Sequence, residues 1–413
     1  MAKNASAVCD RHFGQPESNL DSVKPTVPSH PAWAEIDLNR LRSNFQLINR
    51  FKPPAVGLIS VLKDDAYGHG AIAVASEALA AGASLLALAT VGEATALRHA
   101  GISAPILLLG QRHSQELEIC VRESLTCCVN DLETACQLNK VAVDLGEICD
   151  IHIKIDTGMS RYGVRWNETP ELVREVSNLP NLRLRGLMTH LAMSDEKDKT
   201  FANLQTSRFR SVLQELDVAG IRIPLRHVCN SGGLLDLPEA HFDMVRLGLL
   251  PLGVYPSQAC RRIEGLMPVM AIKTRIAQIR TLQPGDTVGY GMRYTATQPR
   301  RIAVLPIGYG DGFPRVRNQG FVLIHGRRAP LVGGVAMDAL TVDVTEIHET
   351  CPWDEVTVMG EADNDEISVH DLARIKGSVS YDVLTSWRER LPRIYLKSSR
   401  RLNHETSLLG SQG

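Results

Sequence analysis

The sequence predicts an α/β protein, a (β/α)8 TIM barrel followed by a mostly β C-terminal domain. Three observations carry that expectation. Eight short apolar runs recur between residues 56 and 250, alternating with helical stretches. The connecting segments, AIAVASEALAAG and VGEATALRHAG among them, hold apolar residues at helical spacing and reach glycine near their ends. Beyond about residue 265 the texture changes to alternating segments broken by Gly, Asp, Asn and Pro. A doubly wound open sheet is the competing arrangement for the first region.

In chain order, residues 1–31 are polar, spotted with Pro and Ser, and lack an apolar h-region, which predicts a flexible N-terminal arm rather than a signal peptide. Residues 32–265 form the predicted barrel domain. Its strands are VGLISVLK (56–63), LLALAT (85–90), PILLLG (105–110), LTCCVN (125–130), DIHIKID (150–156), LRGLMTHL (184–191), LRHVCNSG (225–232) and MVRLGLL (244–250). Residues 266–397 form the predicted β domain, with RRIAVLPIGY, GFVLIHG, LTVDVT and DEVTVMG as strands. One helical patch interrupts it, SVHDLARIKG, with Ser368 as N-cap. A tail occupies 398–413.

Bulk properties narrow the function. A chain of 413 residues with net charge −1 argues against nucleic acid or an anionic membrane as partner. No run approaches eighteen apolar residues, so no transmembrane helix is expected. The nine cysteines form no CxxC pair, and Cys127-Cys128 lies in an apolar run. That predicts no metal site and a reducing, cytoplasmic setting.

Barrel chemistry collects at the carboxyl ends of the strands. Lys63 ends the first strand, and DTGMSRYG presents Arg161 after the fifth. The sixth ends with His190, the seventh with Asn230 and Ser231, and the eighth carries Arg246 and Gly248. Each residue alone has a structural reading, but all of them fall on one rim. Asn-Ser-Gly-Gly offers a hydroxyl and unhindered N–H groups where barrels often bind phosphate, and Leu247-Gly248-Leu249 adds more. With neither a P-loop nor a GxGxxG after a strand, a nucleotide is disfavoured. A phosphorylated cofactor beside a strand-end lysine suggests pyridoxal 5'-phosphate (PLP), whose aldehyde condenses with lysine.

From AWAEIDL (32–38) to LPRIYL (391–396) the sequence resembles the alanine racemase family. VLKDDAYGHG, HIKIDTGMSRYGV, MTHLAMSDE, CNSGG, MVRLGLLPLGVYPS, VGYGMRYTA, LPIGYGDGFPR, VGGVAMD and SYDVLTSWRERLPR match its signatures in order. The resemblance implies PLP-dependent racemisation of L-alanine and D-alanine by two bases, supplying D-alanine for peptidoglycan precursors. It makes Lys63 the cofactor anchor and one base, and Tyr290 the other, reaching across a head-to-tail homodimer. Racemisation needs a proton carrier on each face of Cα, and a phenol needs help to ionise at neutral pH. The resemblance assigns that help to His190 and Arg246, with Arg246 also facing the pyridine nitrogen. Tyr67, Ser231, Gly248, Leu249 and Tyr381 are implied phosphate contacts, with Asn230 beside them. Arg161 is implied at the cofactor's phenolic oxygen, with Lys154 as a lysine open to carbamylation that braces it. Met337 and Asp338 are implied at the substrate carboxylate, and Tyr309 at the entrance.

Two departures stand out. Asp64-Asp65 replaces a small residue followed by Asn or Asp, and Ala336 replaces a frequent cysteine. A base beside two carboxylates would be held protonated, so both are expected to point away from Lys63. The glycines of the Gly-His-Gly turn are expected to make room for the cofactor. Rival readings are a racemase of serine or a broader set of amino acids, a PLP decarboxylase, whose GGGxG loop is missing here, and a non-catalytic PLP-binding barrel.

Overall fold

A computed structural model describes residues 30–397. The predicted tail (398–413), and all of the predicted arm (1–31) except His30 and Pro31, lie outside the described residues. Strand β1 (Ala32–Asp37) opens the described chain. The barrel strands follow as β2 (Gly57–Val61), β3 (Leu85–Leu88), β4 (Ile106–Leu108), β5 (Thr126–Val129) and β6 (Cys149–Asp156). After a short edge strand, β7 (Val164–Arg165), come β8 (Leu182–Met188), β9 (Leu225–His227) and β10 (Met244–Leu247). The order β2-β3-β4-β5-β6-β8-β9-β10 closes on itself, because β10 pairs in parallel with β2, and every neighbouring pair is parallel. Each of the eight apolar runs of the sequence holds one of these strands, so the barrel, not the open sheet, is formed.

Inside the barrel, Ile59, Ala87, Leu107, Cys128, Met188 and Met244 pack as a separate small core. The larger core lies between strands and outer helices. Its helices are cut by local chemistry. Asp37 caps Leu38–Phe51 by accepting N–H bonds from Asn39 and Arg40. Thr90 and Glu93 form a capping box on Val91–His99. No helix among the described residues is long and apolar enough to cross a membrane.

The second domain contains β11 (Met270–Arg275), β12 (Gln278–Leu282), β13 (Thr287–Val288), β14 (Tyr294–Thr295), β15 (Arg300–Leu305), β16 (Phe321–Ile324), β17 (Arg327–Pro330), β18 (Leu340–Asp343), β19 (Glu355–Ala362), β20 (Asp365–Ile367) and β21 (Arg393–Leu396). The expected helix is present over Val369–Lys376 with Ser368 as its cap. A second helix, Ser380–Ser386, also forms in SYDVLTS, where only one had been expected.

The strand in AWAEIDL differs from expectation in a more consequential way. The sequence reading placed it in the barrel segment 32–265, but β1 hydrogen-bonds antiparallel to β11 and parallel to β21. Its backbone therefore belongs to the β-domain sheet, while the helix that follows it packs on the barrel. Buried Asn44 on that helix strengthens the link, bonding Pro251 O at 3.0 Å, Met267 O at 2.7 Å and Met267 N–H at 3.0 Å. Ile36 is fully buried on β1. Ile36→Ala should cost about 2–5 kcal/mol and lower the urea midpoint of both domains together. Separate transitions, with only the β domain weakened, would contradict the tie.

Candidate active site

Lys63 follows β2 at the carboxyl end of the barrel and begins a turn of left-handed helix. Asp64, Asp65, Ala66 and Tyr67 all have φ of 51–54°. Each L-residue there costs roughly 1–2 kcal/mol, so the turn needs support from outside itself. Ala66 N–H bonds Leu62 O at 2.7 Å. Glu93 Oε1 accepts the Asp64 N–H at 2.5 Å, while its other oxygen accepts from Ala89 and Thr90. The Asp65 carboxylate accepts the Ala71 N–H at 2.7 Å. His69 Nδ1 lies 3.1 Å from Ala66 O and 3.0 Å from Tyr67 O; carbonyls only accept, so Nδ1 carries the proton.

Two expectations change here. Asp65 does turn away from Lys63, but Asp64 remains near enough to oppose the fall in the lysine's pKa. The glycines of the turn make room for the chain itself rather than for a cofactor. A Cβ on Gly68 would meet Leu384 O at 2.8 Å, and one on Gly70 would strike the Tyr395 hydroxyl. Close approach at the site is a property of Gly248 instead, where a Cβ would lie 2.5 Å from the Tyr67 hydroxyl.

Burial lowers the Lys63 pKa, and Arg161 adds to the effect; Asp64 and Glu93 oppose it. Lys154, inside β6, is buried and brought down to about 8 by desolvation, then by Arg246 and Arg161. Arg161 itself is exposed at the rim. Burial first, then Asp64 and Tyr381, push the Tyr67 phenol upward, so it stays protonated and able to donate.

Arg246 is the centre of the buried network. Its guanidinium reaches His227 Nδ1 (2.9 Å), His227 O (2.8 Å), Thr189 O (2.7 Å), His190 Nδ1 (3.1 Å) and Val228 O (3.0 Å). Guanidinium can only donate. His227 Nδ1 and His190 Nδ1 are therefore acceptors, and each ring carries its proton on Nε2. His227 Nε2 passes that bond to His152 Nδ1 at 2.8 Å. Desolvation, then Arg246, holds His190 and His227 well below the usual imidazole range; desolvation lowers His152 to about 4.

Beside this network, Asn230 caps the helix Ser231–Asp236, and the Ser231 hydroxyl accepts the Leu250 N–H at 3.3 Å. Gly248 and Leu249 follow β10 directly. Lys63, Tyr67, Lys154, Arg161, His190, Asn230, Ser231, Arg246, Gly248, Leu249 and Tyr381 thus gather at one mouth, with Tyr381 supplied by the second helix of the β domain. The other expected residues stand apart. Tyr290 is 82% exposed at the tip between β13 and β14. Tyr309 and Met337 line a 570 Å³ basin against the outer side of the Asp64-Asp65 turn. Asp338 is paired with Arg390 at 2.8 Å. Three participants escaped the sequence reading: Glu93, His152 and His227. His152 had a usable signal, since it stands two positions before Lys154 and shares its inward face of β6.

The family description "Alanine racemase, N-terminal domain" matches residues 36–256, and "Alanine racemase, C-terminal domain" matches 269–395. The alanine racemase of Halothermothrix orenii is 40% identical over 89% of this chain and 97% of that protein. That of Methanococcus maripaludis is 39% identical over 89% and 99%. In three dimensions, the alanine racemase of Clostridium difficile 630 superposes with a TM-score of 0.86 at 36% identity, covering 90% of this chain and 97% of that one.

The buried histidines make the mouth sensitive to acid. All three take up a proton more readily unfolded than folded, so their stabilising contribution is intact above pH 6.5. It is lost as pH falls through 6.5 toward their lowered folded values, about 4 for His152. Each contributes a slope of up to about 1.4 kcal/mol per pH unit in that window. Urea midpoints should fall steadily from pH 6.5 to 4.5, less steeply in His152→Gln. A flat profile there would contradict the assigned protonation states.

Proposed function

This chain belongs to the alanine racemase family, and from that premise we propose that it interconverts L-alanine and D-alanine with PLP as cofactor. The observation that carries the reading is Lys63, a strand-end lysine whose ammonium form is destabilised by burial and by Arg161. Lowering the pKa raises the share of neutral amine that can act as nucleophile and base. The residues around it fit the cofactor. The protonated Tyr67 hydroxyl, the Ser231 hydroxyl and the cleared backbone at Gly248 and Leu249 form a cradle for phosphate, with Asn230 and Tyr381 beside it. When bound, PLP supplies an electrophilic carbon for Lys63 and a conjugated ring that stabilises charge left at the substrate Cα.

The protein's part is proton placement. Lys63 holds the proton on one face of Cα. Tyr290 serves the other face, and its 82% exposure, with Met292 68% and Met337 53% exposed, supports delivery into a second copy of the chain in a head-to-tail homodimer. His190 presents its Nε2–H to that incoming phenol and so favours its ionised form, while Arg246 fixes the ring from behind. With the cofactor bound, Arg246 would face the pyridine nitrogen as a cation, disfavouring protonation there and keeping the proton exchange on Cα. Arg161 binds the phenolic oxygen. Lys154, at about 8, has enough neutral amine to add carbon dioxide with release of one proton, and the resulting carbamate anion would brace Arg161. Backbone N–H groups at Met337 and Asp338 take the substrate carboxylate, and Tyr309 narrows the approach. The product would serve peptidoglycan precursors in the cytoplasm.

Incubation with PLP and L-alanine in D₂O tests this, following Cα proton loss by NMR and handedness by chiral chromatography. The expected product is Cα-deuterated D-alanine, with Tyr290→Phe losing inversion by about a hundredfold or more while retaining exchange only with the enantiomer, L- or D-alanine, whose Cα–H faces Lys63. Exchange without inversion in the wild type would overturn the two-base reading. No exchange with alanine but turnover of serine would move the substrate.

A further inference from the structure

The Met337-Asp338 loop, which leads into β18, carries two adjacent backbone N–H groups that make no hydrogen bond among the described residues. Open donors on an exposed loop can select a ligand only if the loop is held in place. Its neighbour in space is the 308–312 loop. Tyr309 N–H bonds Ala336 O at 3.0 Å and Gly310 N–H bonds Met337 O at 2.8 Å, while Ala336 N–H bonds Ala339 O at 2.8 Å. The two loops approach too closely for side chains between them. A Cβ on Gly308 would strike the carbonyl oxygens of Ala336 and Met337, and one on Gly310 would meet Met337 O at 2.9 Å.

One side chain ties both loops together. Arg390, just beyond the second helix of the β domain, places Nε 2.9 Å from Asp311 Oδ1 and Nη2 2.8 Å from Asp338 Oδ1. Asp311 is fully buried, and its Oδ2 accepts the Gly308 N–H at 2.8 Å. Its Oδ1 has no aligned hydrogen bond, so the ion pair with Arg390 compensates the buried charge; His30 Nε2 stands farther off, at 3.9 Å.

We propose that Arg390 is a positioning residue for the substrate carboxylate, anchored on Asp311 and acting through Asp338. The role rests on the racemase reading above and deepens it. The guanidinium fixes the Met337-Asp338 backbone against the 308–312 loop, and its charge offsets that of the Asp338 side chain. Without that offset, a bare carboxylate would stand on the same residue whose N–H receives the carboxylate of the substrate, and like charges repel. Arginine suits the task better than lysine. Its planar fork holds two donors at a fixed separation, one for each acid, where an ammonium is a single point.

Two fragments of alanine separate this role from a general structural one. Propionate keeps the carboxylate and lacks the amine, and ethylamine does the reverse. In Arg390→Gln holoenzyme, calorimetry should show propionate binding weakened about tenfold, the loss expected of a misaligned charge-assisted contact. Ethylamine, followed by cofactor absorbance, should bind within about twofold of wild type, because it does not use the loop. The KM for alanine should rise about tenfold with kcat within about twofold. Arg390→Lys keeps the charge that buried Asp311 needs, so it stands in should Arg390→Gln fail to fold; it should show the same selective loss, smaller in size. The racemase reading requires that wild-type holoenzyme bind propionate; a role for Arg390 requires in addition that the variants lose it selectively. Unchanged propionate affinity, or both fragments weakened alike, would overturn that role.

Discussion

The guanidinium of Arg246 is the constraint on which the barrel mouth depends. It is 3% exposed, and its hydrogen bonds run to three carbonyls and two imidazoles, with no carboxylate among them in the described residues. A buried cation without a counter-ion is expensive unless every donor is used. The fold offsets that cost at the two Nη atoms, with acceptors at the ends of β8 and β9 arranged around them. Burial first of all then disfavours charge on the groups near it, raising the Cys128 and Cys229 thiols and lowering the basic groups. The histidines are held neutral, Lys154 is lowered, and Arg246 itself is pulled down to about 10, by burial first. A site with this electrostatic bias favours anionic and neutral guests, and it resists placing a further positive charge on a bound ring.

A second demand is met next to it. Four consecutive L-residues in the left-handed region set the path from Lys63 to Tyr67, which places both side chains at the same opening. No single bond could hold that turn. Glu93 from a neighbouring helix cap, Asp65 on the next helix and His69 on the turn's own carbonyls hold it together. Asp65 thereby has a structural task that explains an acid beside the anchor lysine. Asp64 has only its backbone in such use, and its carboxylate moderates the pKa of Lys63.

Much of this was legible before any coordinates. The eight apolar runs were short enough to be strands and separated by enough chain to be βα units, so the pattern favoured the barrel and left an open doubly wound sheet as its competitor. Lys63, His190, Ser231 and Arg246 were found because strand ends are where barrels place chemistry. What remained hidden depended on contacts distant in sequence. Nothing in AWAEIDL says that its partners are β11 and β21, both of which lie far along the chain. DDAY contains no glycine, so local propensity argues against the left-handed turn that tertiary bonds enforce. Gly-His-Gly looked like space for a ligand, whereas Leu384 and Tyr395 fill it. His227 lies in a strand too short to show alternation.

The central claim is that Lys63 and Tyr290 are two halves of one site contributed by different copies of the chain. Mixing inactive Lys63→Ala and Tyr290→Phe proteins, then allowing subunits to exchange, tests it directly. Random reassociation makes half of the dimers mixed, each with one intact and one doubly altered site, so racemisation should return to about a quarter of the wild-type rate. No recovery, with exchange of subunits verified by mass, would place both groups in the same chain and contradict the account.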